Sequence, residues 1–384
     1  MTNPSAAPVS TKFLNVLVIG ANGYLGTAIC SAFLRTNAPP TSFRVHGLIR
    51  RESAAHQLAM NEVIPIIGSL SEPDMVRTAV LSHSPVWDII VTCTEPSRAT
   101  EAAHWSDLLA FIQDLASESA SHGVRPFVLW SSGCKDYGTT GLHGEKSLTP
   151  HSEDSPLQSH PIIRGRMDAA LRVLEVAGAE GSDFTAAVVR ATPVFGYSGS
   201  YYGAAFDYAA AFAGVFGKDD IRSRTLDFTS DEGTIMHGVH VDDCGEGYVA
   251  LATAALPDDD RRRRIAGKVF NISGRRYETL REVGVALAQE YGFGHGARFG
   301  LAQDELPEAV SGHNCGLVFG WSQWVSSERI RNLTHWCDKR SLFSENIGVY
   351  RLAYEAAIEA GLDDVEKVRR RMAGNWGDDH KAAE

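Results

Sequence analysis

Nowhere does the chain carry an apolar run of about eighteen residues, the length a membrane-spanning helix needs, so no helical span is expected. The first twelve residues, MTNPSAAPVSTK, hold no apolar stretch suited to a signal peptide and read as a mobile tail. Six cysteines (Cys30, Cys93, Cys134, Cys244, Cys315, Cys337) form no CxxC pair and no Cys/His cluster at zinc-ligand spacing. That removes the common metal sites, so no metal is expected, and it fits reduced thiols in a cytoplasmic protein. Basic charge is also short: 36 Lys and Arg stand against 47 Asp and Glu, a formal charge of -11. Such a balance argues against a nucleic-acid or anionic-membrane partner and leaves a small-molecule substrate as the default. The run Arg261 to Arg264 follows PDDD, and the two charge blocks are expected to offset each other in a solvated loop. There is no internal repeat and no low-complexity tract.

What is present is enough apolar material, 44% of 384 residues, for one large domain or two interleaved ones. LNVLVI (14–19) is a β-branched run closed by glycine, and TAICSAFLR continues with Ile29, Phe33 and Leu34 at helical spacing. Strand-like and helix-like segments then alternate through FRVHGLI, VIPIIG, EPDMVRTAVLS, WDIIVTC, HWSDLLAFIQDLASESA and PFVLWSS. Alternation of this kind demands right-handed crossovers and gives an α/β, Rossmann-type, doubly wound parallel sheet. A long Gly/Ser/Thr/Pro-rich loop follows Ser132, of a length that usually covers a site. Beyond it come an amphipathic helix, RMDAALRVLEVAG, a strand, FTAAVVRA, and a mixture of short strands and helices for which Thr279 and Ser327 are the expected N-caps.

GANGYLG sets Gly20, Gly23 and Gly26 in GxxGxxG spacing between a strand and a helix. Glycines there allow a tight turn and close approach of a pyrophosphate, and the helix start offers free N–H groups. At the end of the second strand an acidic residue would favour NAD, whereas this chain reads GLIRRES. Arg50 and Arg51 suit a 2′-phosphate, so NADP is the expected cofactor.

Several ordered blocks then resemble the extended short-chain dehydrogenase/reductase family, the NAD-dependent epimerase/dehydratase family. They are VIGANGYLG, IIGSLSEPDMV, DIIVTCT, VLWSSGCKDYG, VVRATPVFG and HGVHVDDCGEGYVAL, and the resemblance runs from about Leu14 to Glu359. It implies that Gly20, Asn22, Gly23, Tyr24, Leu25 and Gly26 cradle the pyrophosphate. Arg50 and Arg51 would meet the 2′-phosphate, Ser69 and Leu70 the adenine, Thr94 the nicotinamide ribose, and Val194 the carboxamide. It also implies a cofactor domain over 13–196 plus 237–272 after a tail at 1–12, and a substrate domain over 197–236 plus 273–384. Finally, it implies a homodimer built through HWSDLLAFIQDLASESA and RMDAALRVLEVAG.

The pattern breaks at HPIIRGRM (160–167), where the family carries Tyr-x-x-x-Lys. There a phenol made acidic by a nearby lysine exchanges a proton with the substrate. Here Ile162 stands at the tyrosine and Arg166 at the lysine, and no shift of register restores the pair. Arginine keeps a charge that can hold the ribose but cannot shuttle a proton. Ser132 is the expected polarising hydroxyl, although a plain alignment puts Gly133 there. Tyr137 is expected to line the cleft, Tyr202 with Tyr201 sits opposite the nicotinamide, and His160 and His240 are further proton candidates. The expectation is an NADP-dependent reductase or dehydrogenase of a small carbonyl or alcohol, suited to specialised metabolism, with Ser132, Tyr137, Arg166 and Tyr202 at its site. The alternative is a non-redox dehydratase, cyclase or isomerase, or an NADP-sensing binding protein.

Overall fold

The computed structural model describes residues 12–36, 41–96, 100–198, 201–216, 220–256, 259–311 and 316–373. The expected tail lies outside them except for Lys12, as do Cys315 and residues 374–384 of the expected substrate domain. The chain begins with β1 (Lys12–Ile19), α1 (Tyr24–Arg35), β2 (Thr41–Ile49), α2 (Ala55–Met60), β3 (Ile64–Ile67) and α3 (Pro73–His83). It continues with β4 (Ile89–Thr92), α4 (Glu101–Ser121), β5 (Phe127–Gly133), α5 (Arg164–Gly178) and β6 (Thr185–Ala191). These six strands and a seventh, Val269–Ile272, form one sheet in the order 269–272, β6, β5, β4, β1, β2, β3. Every pairing in it is parallel, as the strand and helix alternation requires.

The two faces of the sheet follow from the period of two in its strands. In β1, Val16 and Val18 enter the core beneath α1, whereas Leu17 and Ile19 enter the opposite core with Val80 of α3, Leu108 of α4 and Val173 of α5. Two further helices matter: α6 (Gly203–Val215), and α7 (Val241–Ala255), which lies beside α1 with Cys244, Tyr248 and Leu251 in the first core. A separate apolar cluster gathers Phe206 and Phe212 of α6, Val283 and Leu287, and Tyr350 and Tyr354. Ile330 and Trp336, which fall in the expected substrate segment, pack instead into the first core, where the Trp336 indole donates to the Asp243 carbonyl at 3.0 Å.

Two local expectations change. The basic run is helical, within α8 (Asp259–Ile265): Arg262 donates to the Arg125 carbonyl at 2.7 Å, and Arg263 pairs with Asp260 one turn away, so local charge pairing supports a helix where a loop was expected. Thr279 does cap α9 (Leu280–Tyr291) in a reciprocal box with Glu282, but the Ser327 side chain makes no cap bond and serves Ser273 and Arg331 instead. The apolar faces of α4 and α5 are spent on the sheet. Among the described residues, Leu171 is the one large exposed hydrophobic on either helix.

At the end of β1 the glycines are dictated by geometry. Gly20 has φ +88°, and a Cβ at Gly26 would lie 2.2 Å from the Gly20 carbonyl oxygen. Gly26→Ala is therefore expected to lose about 1–3 kcal/mol of stability in urea denaturation. An unchanged midpoint would show that the turn relaxes freely.

Candidate active site

Gly23 caps α1 without a side-chain bond, and its own N–H donates to the Gly20 carbonyl at 3.0 Å, so the glycine turn leads straight into a helix N-terminus, the end whose dipole favours an anion. The Tyr24 hydroxyl donates to the Gly196 carbonyl at 2.5 Å, tying the glycine turn to the chain that leads toward α6. Arg50 is exposed at the end of β2 and makes no salt bridge among the described residues; Arg51 is exposed beside it. Thr94 Oγ1 and His104 Nε2 lie 2.8 Å apart. Burial, then the Arg50 cation, holds the His104 imidazole below its ordinary pKa. Ser69 bonds Ser71 at 2.8 Å, Leu70 packs on the core beneath the sheet, and Val194 pairs with Val239. A helix start behind a turn that only glycine fits, with an exposed arginine at the end of the neighbouring strand, fits a dinucleotide.

Behind this end lies a buried charge network. Asp136 is fully buried in the short 3-10 turn Cys134–Tyr137, and its carboxylate accepts from Arg166 Nη2 at 2.8 Å, Arg190 Nε at 3.2 Å and Ser132 Oγ at 2.5 Å. Arg190 also donates to the Tyr137 hydroxyl at 3.0 Å, which in turn donates to Asn271 Oδ1 at 2.9 Å. Burial by itself would pull the Arg166 guanidinium down; the Asp136 carboxylate reverses this and leaves it above its ordinary pKa. The guanidinium rests on Gly133, where a Cβ would meet Nη2 at 3.0 Å.

In front of Arg166 opens a cavity of about 120 Å³. Its walls include Ile162, Ile163, Ile235, Met236 and Val318, and its polar lining includes Glu95, Lys135, His160, Tyr201, His237 and Gln323. Lys135 lies two residues past the end of β5, and burial, then the Arg166 charge, lowers its pKa to about 7. The Trp321 ring, 4.3 Å from Nζ, acts in the opposite sense by favouring the ammonium. His237 is spent: its Nε2 faces the Gly274 carbonyl at 2.9 Å, its Nδ1 accepts from the Val325 N–H at 3.1 Å, and burial lowers its pKa to about 4.

Comparison with known proteins agrees with this geometry. A family model described as the NAD dependent epimerase/dehydratase family matches residues 16–273. The chain belongs to that family. No curated protein matches it. Among solved structures, UDP-glucuronic acid 4-epimerase from Bacillus cereus in complex with NAD is 17% identical, with 89% of this chain and 99% of that one covered and a TM-score of 0.61. UDP-glucose 4-epimerase from Bifidobacterium longum in complex with NAD+ and UDP is 15% identical, with 91% and 100% covered and a TM-score of 0.61. The UDP-Glc/GlcNAc 4-epimerase from Campylobacter jejuni is 18% identical, with 89% and 99% covered and a TM-score of 0.61. At these identities the likeness concerns the fold.

Within this member of the epimerase/dehydratase family, Arg166 and Ile162 both reach the cavity, and Tyr202 lines it from α6's N-cap, 3% exposed. Burial, then Glu278, holds the Tyr202 phenol well above its ordinary pKa, which makes it a poor acid–base group at neutral pH. Tyr137 is placed otherwise than expected. It is 1% exposed, absent from the cavity wall, and its hydroxyl is used between Arg190 and Asn271, so it is a structural residue. Ser132 likewise turns to Asp136 and away from the cavity lining. His240 caps α7, accepting from the Asp242 N–H at 3.2 Å, and does not line the cavity. Cys134 is buried on the Arg190 carbonyl, and burial drives its pKa well up, as a packing thiol requires. Lys135, Asp136, Trp321 and Gln323 escaped the sequence as site residues. The signal for Lys135 was its position, the first charged residue past the C-terminal end of β5, where such folds bind ligands.

Asp136→Asn keeps the shape and removes the counter-charge of two arginines. A stability loss of about 3–5 kcal/mol is expected in urea denaturation, and a loss below about 0.5 kcal/mol would show that the pair is dispensable.

Proposed function

We propose that the chain is an NADP-dependent oxidoreductase of a small carbonyl or alcohol substrate, in which Lys135 moves the proton. The observation that carries this reading is a lysine with its pKa lowered to about 7 in the same cavity as Arg166. A general acid works best when its pKa lies near the operating pH, and among the cavity's ionisable groups Lys135 meets that condition by burial beside a fixed cation. Arg50 and Arg51 support the 2′-phosphate, and the N-terminus of α1 behind the glycine turn supports the pyrophosphate.

A bound nicotinamide dinucleotide would supply or accept the hydride. The chain's own residues do the rest. Arg166, fixed by Asp136, holds the ribose hydroxyls; the Lys135 ammonium donates a proton to the carbonyl oxygen as that carbon is reduced, leaving a neutral amine that solvent reprotonates. In the alcohol-oxidising direction the neutral amine takes the hydroxyl proton. The aliphatic walls favour a substrate less polar than the UDP-sugars named for the structural neighbours, since sugar hydroxyls buried against Ile162, Ile163, Ile235 and Val318 would lack partners.

Two measurements test this. NADPH should bind more tightly than NADH, and Arg50→Ala should weaken NADPH by roughly tenfold while leaving NADH unchanged. Tighter NADH binding in the unaltered protein overturns the cofactor assignment. With a carbonyl panel, reduction should be constant below pH 7 and fall as pH rises through about 7, because the acid must be protonated, while alcohol oxidation rises through the same range. Lys135→Met, which keeps an apolar stem on Trp321, should abolish that limb; a profile indifferent to the substitution assigns the proton elsewhere.

A further inference from the structure

Ordinarily a buried polar atom is hydrogen-bonded, and the exceptions in a native protein call for an explanation. Three belong to residues that line the cavity: Arg166 Nε, Trp321 Nε1 and Gln323 Oε1 are buried without a partner among the described residues. Gln323 is the sharpest case because its orientation is determined. It is 3% exposed, and its Nε2 donates to the carbonyls of Cys134 at 2.7 Å and Gly138 at 2.6 Å. Both hydrogens of the amide are thereby consumed, which leaves Oε1 as an acceptor that no protein group satisfies.

The arrangement is built. Those two carbonyls belong to the turn that carries Lys135 and Asp136, so the substrate wall and the proton donor are one rigid unit. Trp321, two residues before Gln323, stacks its ring on Lys135 and brings an unpaired indole N–H to the same lining. Most of the remaining lining is apolar. An acceptor held this way discriminates strongly, since a ligand without a matching donor leaves it desolvated and unpaired.

We infer that Gln323 Oε1 selects the substrate of this site by accepting a hydrogen bond from a hydroxyl carried on an otherwise apolar body, and so narrows the substrate to hydroxylated aromatic or aliphatic ketones and the corresponding alcohols. The inference rests on the carbonyl reading above for the reacting end of the substrate, and on Gln323 alone for the other.

The probes are the three hydroxyacetophenone isomers, their methoxy ethers and acetophenone, with affinities taken by titration calorimetry with and without saturating NADP+. At least one hydroxy isomer should bind roughly tenfold or more tightly than its methoxy ether, which has the same oxygen and no proton to give. Gln323→Lys keeps donors for the Cys134 and Gly138 carbonyls and removes the acceptor; it should erase that preference with its thermal midpoint retained. Should Gln323→Lys fail to fold, the hydroxy-to-methoxy ratio in the unaltered protein still decides. Equal affinities for all three pairs, or no binding by any hydroxy isomer, overturn the inference, with water then the partner of Oε1. Hydroxyl preference without NADPH-dependent turnover upholds the inference and removes the oxidoreductase reading. Turnover without preference does the reverse.

Discussion

The Asp136 carboxylate governs this site. Fully buried, it faces two guanidiniums and the Ser132 hydroxyl, and through Arg190 it engages Tyr137 and Asn271. A buried ion pair is costly to assemble and costlier to break, because either partner left alone is an uncompensated charge in a poor solvent. Of the two arginines Arg190 is buried and Arg166 is partly exposed, and the cavity lies on the Arg166 side. Lys135 is held next to that charge by the same turn.

Several departures from the family pattern then become one rearrangement. Gly133 stands where a polarising hydroxyl was expected, and the space its missing side chain vacates is filled by the Arg166 guanidinium. Arginine at 166 needs a carboxylate to stay put, and Asp136 supplies it. Ile162, at the expected phenol, becomes part of an apolar wall, and in the proposed mechanism the acid–base task falls to a lysine on the neighbouring turn. Each change alone would damage a site of the usual type. Taken together, on the proposed reading, they exchange a phenol activated by a lysine for a lysine whose own acidity is raised by burial and by an arginine.

Much of this was legible in the chain. The alternation of apolar strands and amphipathic helices specified the parallel sheet, and the steric demand at Gly20 and Gly26 is the physical content of the GxxGxxG spacing. The absence of a tyrosine and a lysine from HPIIRGRM pointed to Arg166 and Ile162 as cavity residues. The rest depended on contacts that no local pattern encodes. Gln323 bonds to a carbonyl 189 residues earlier, and Trp321 reaches Lys135 across a similar separation, so the surroundings of the lysine exist only in three dimensions. Tyr137 was misread for a related reason: the family resemblance places it in the cleft, but Arg190 and Asn271 draw its hydroxyl inward. The arginine run became helix because Asp260 and the Arg125 carbonyl accept its hydrogens.

Everything functional in this account turns on the acidity of one ammonium group. Lysine-selective 13C labelling, with the Lys135 signal assigned by its loss in Lys135→Met, reads that acidity directly as a chemical-shift titration. A resonance titrating near pH 7 is the predicted result. A Lys135 resonance that titrates near 10, with the other lysines, would contradict the proposal that this residue moves the proton.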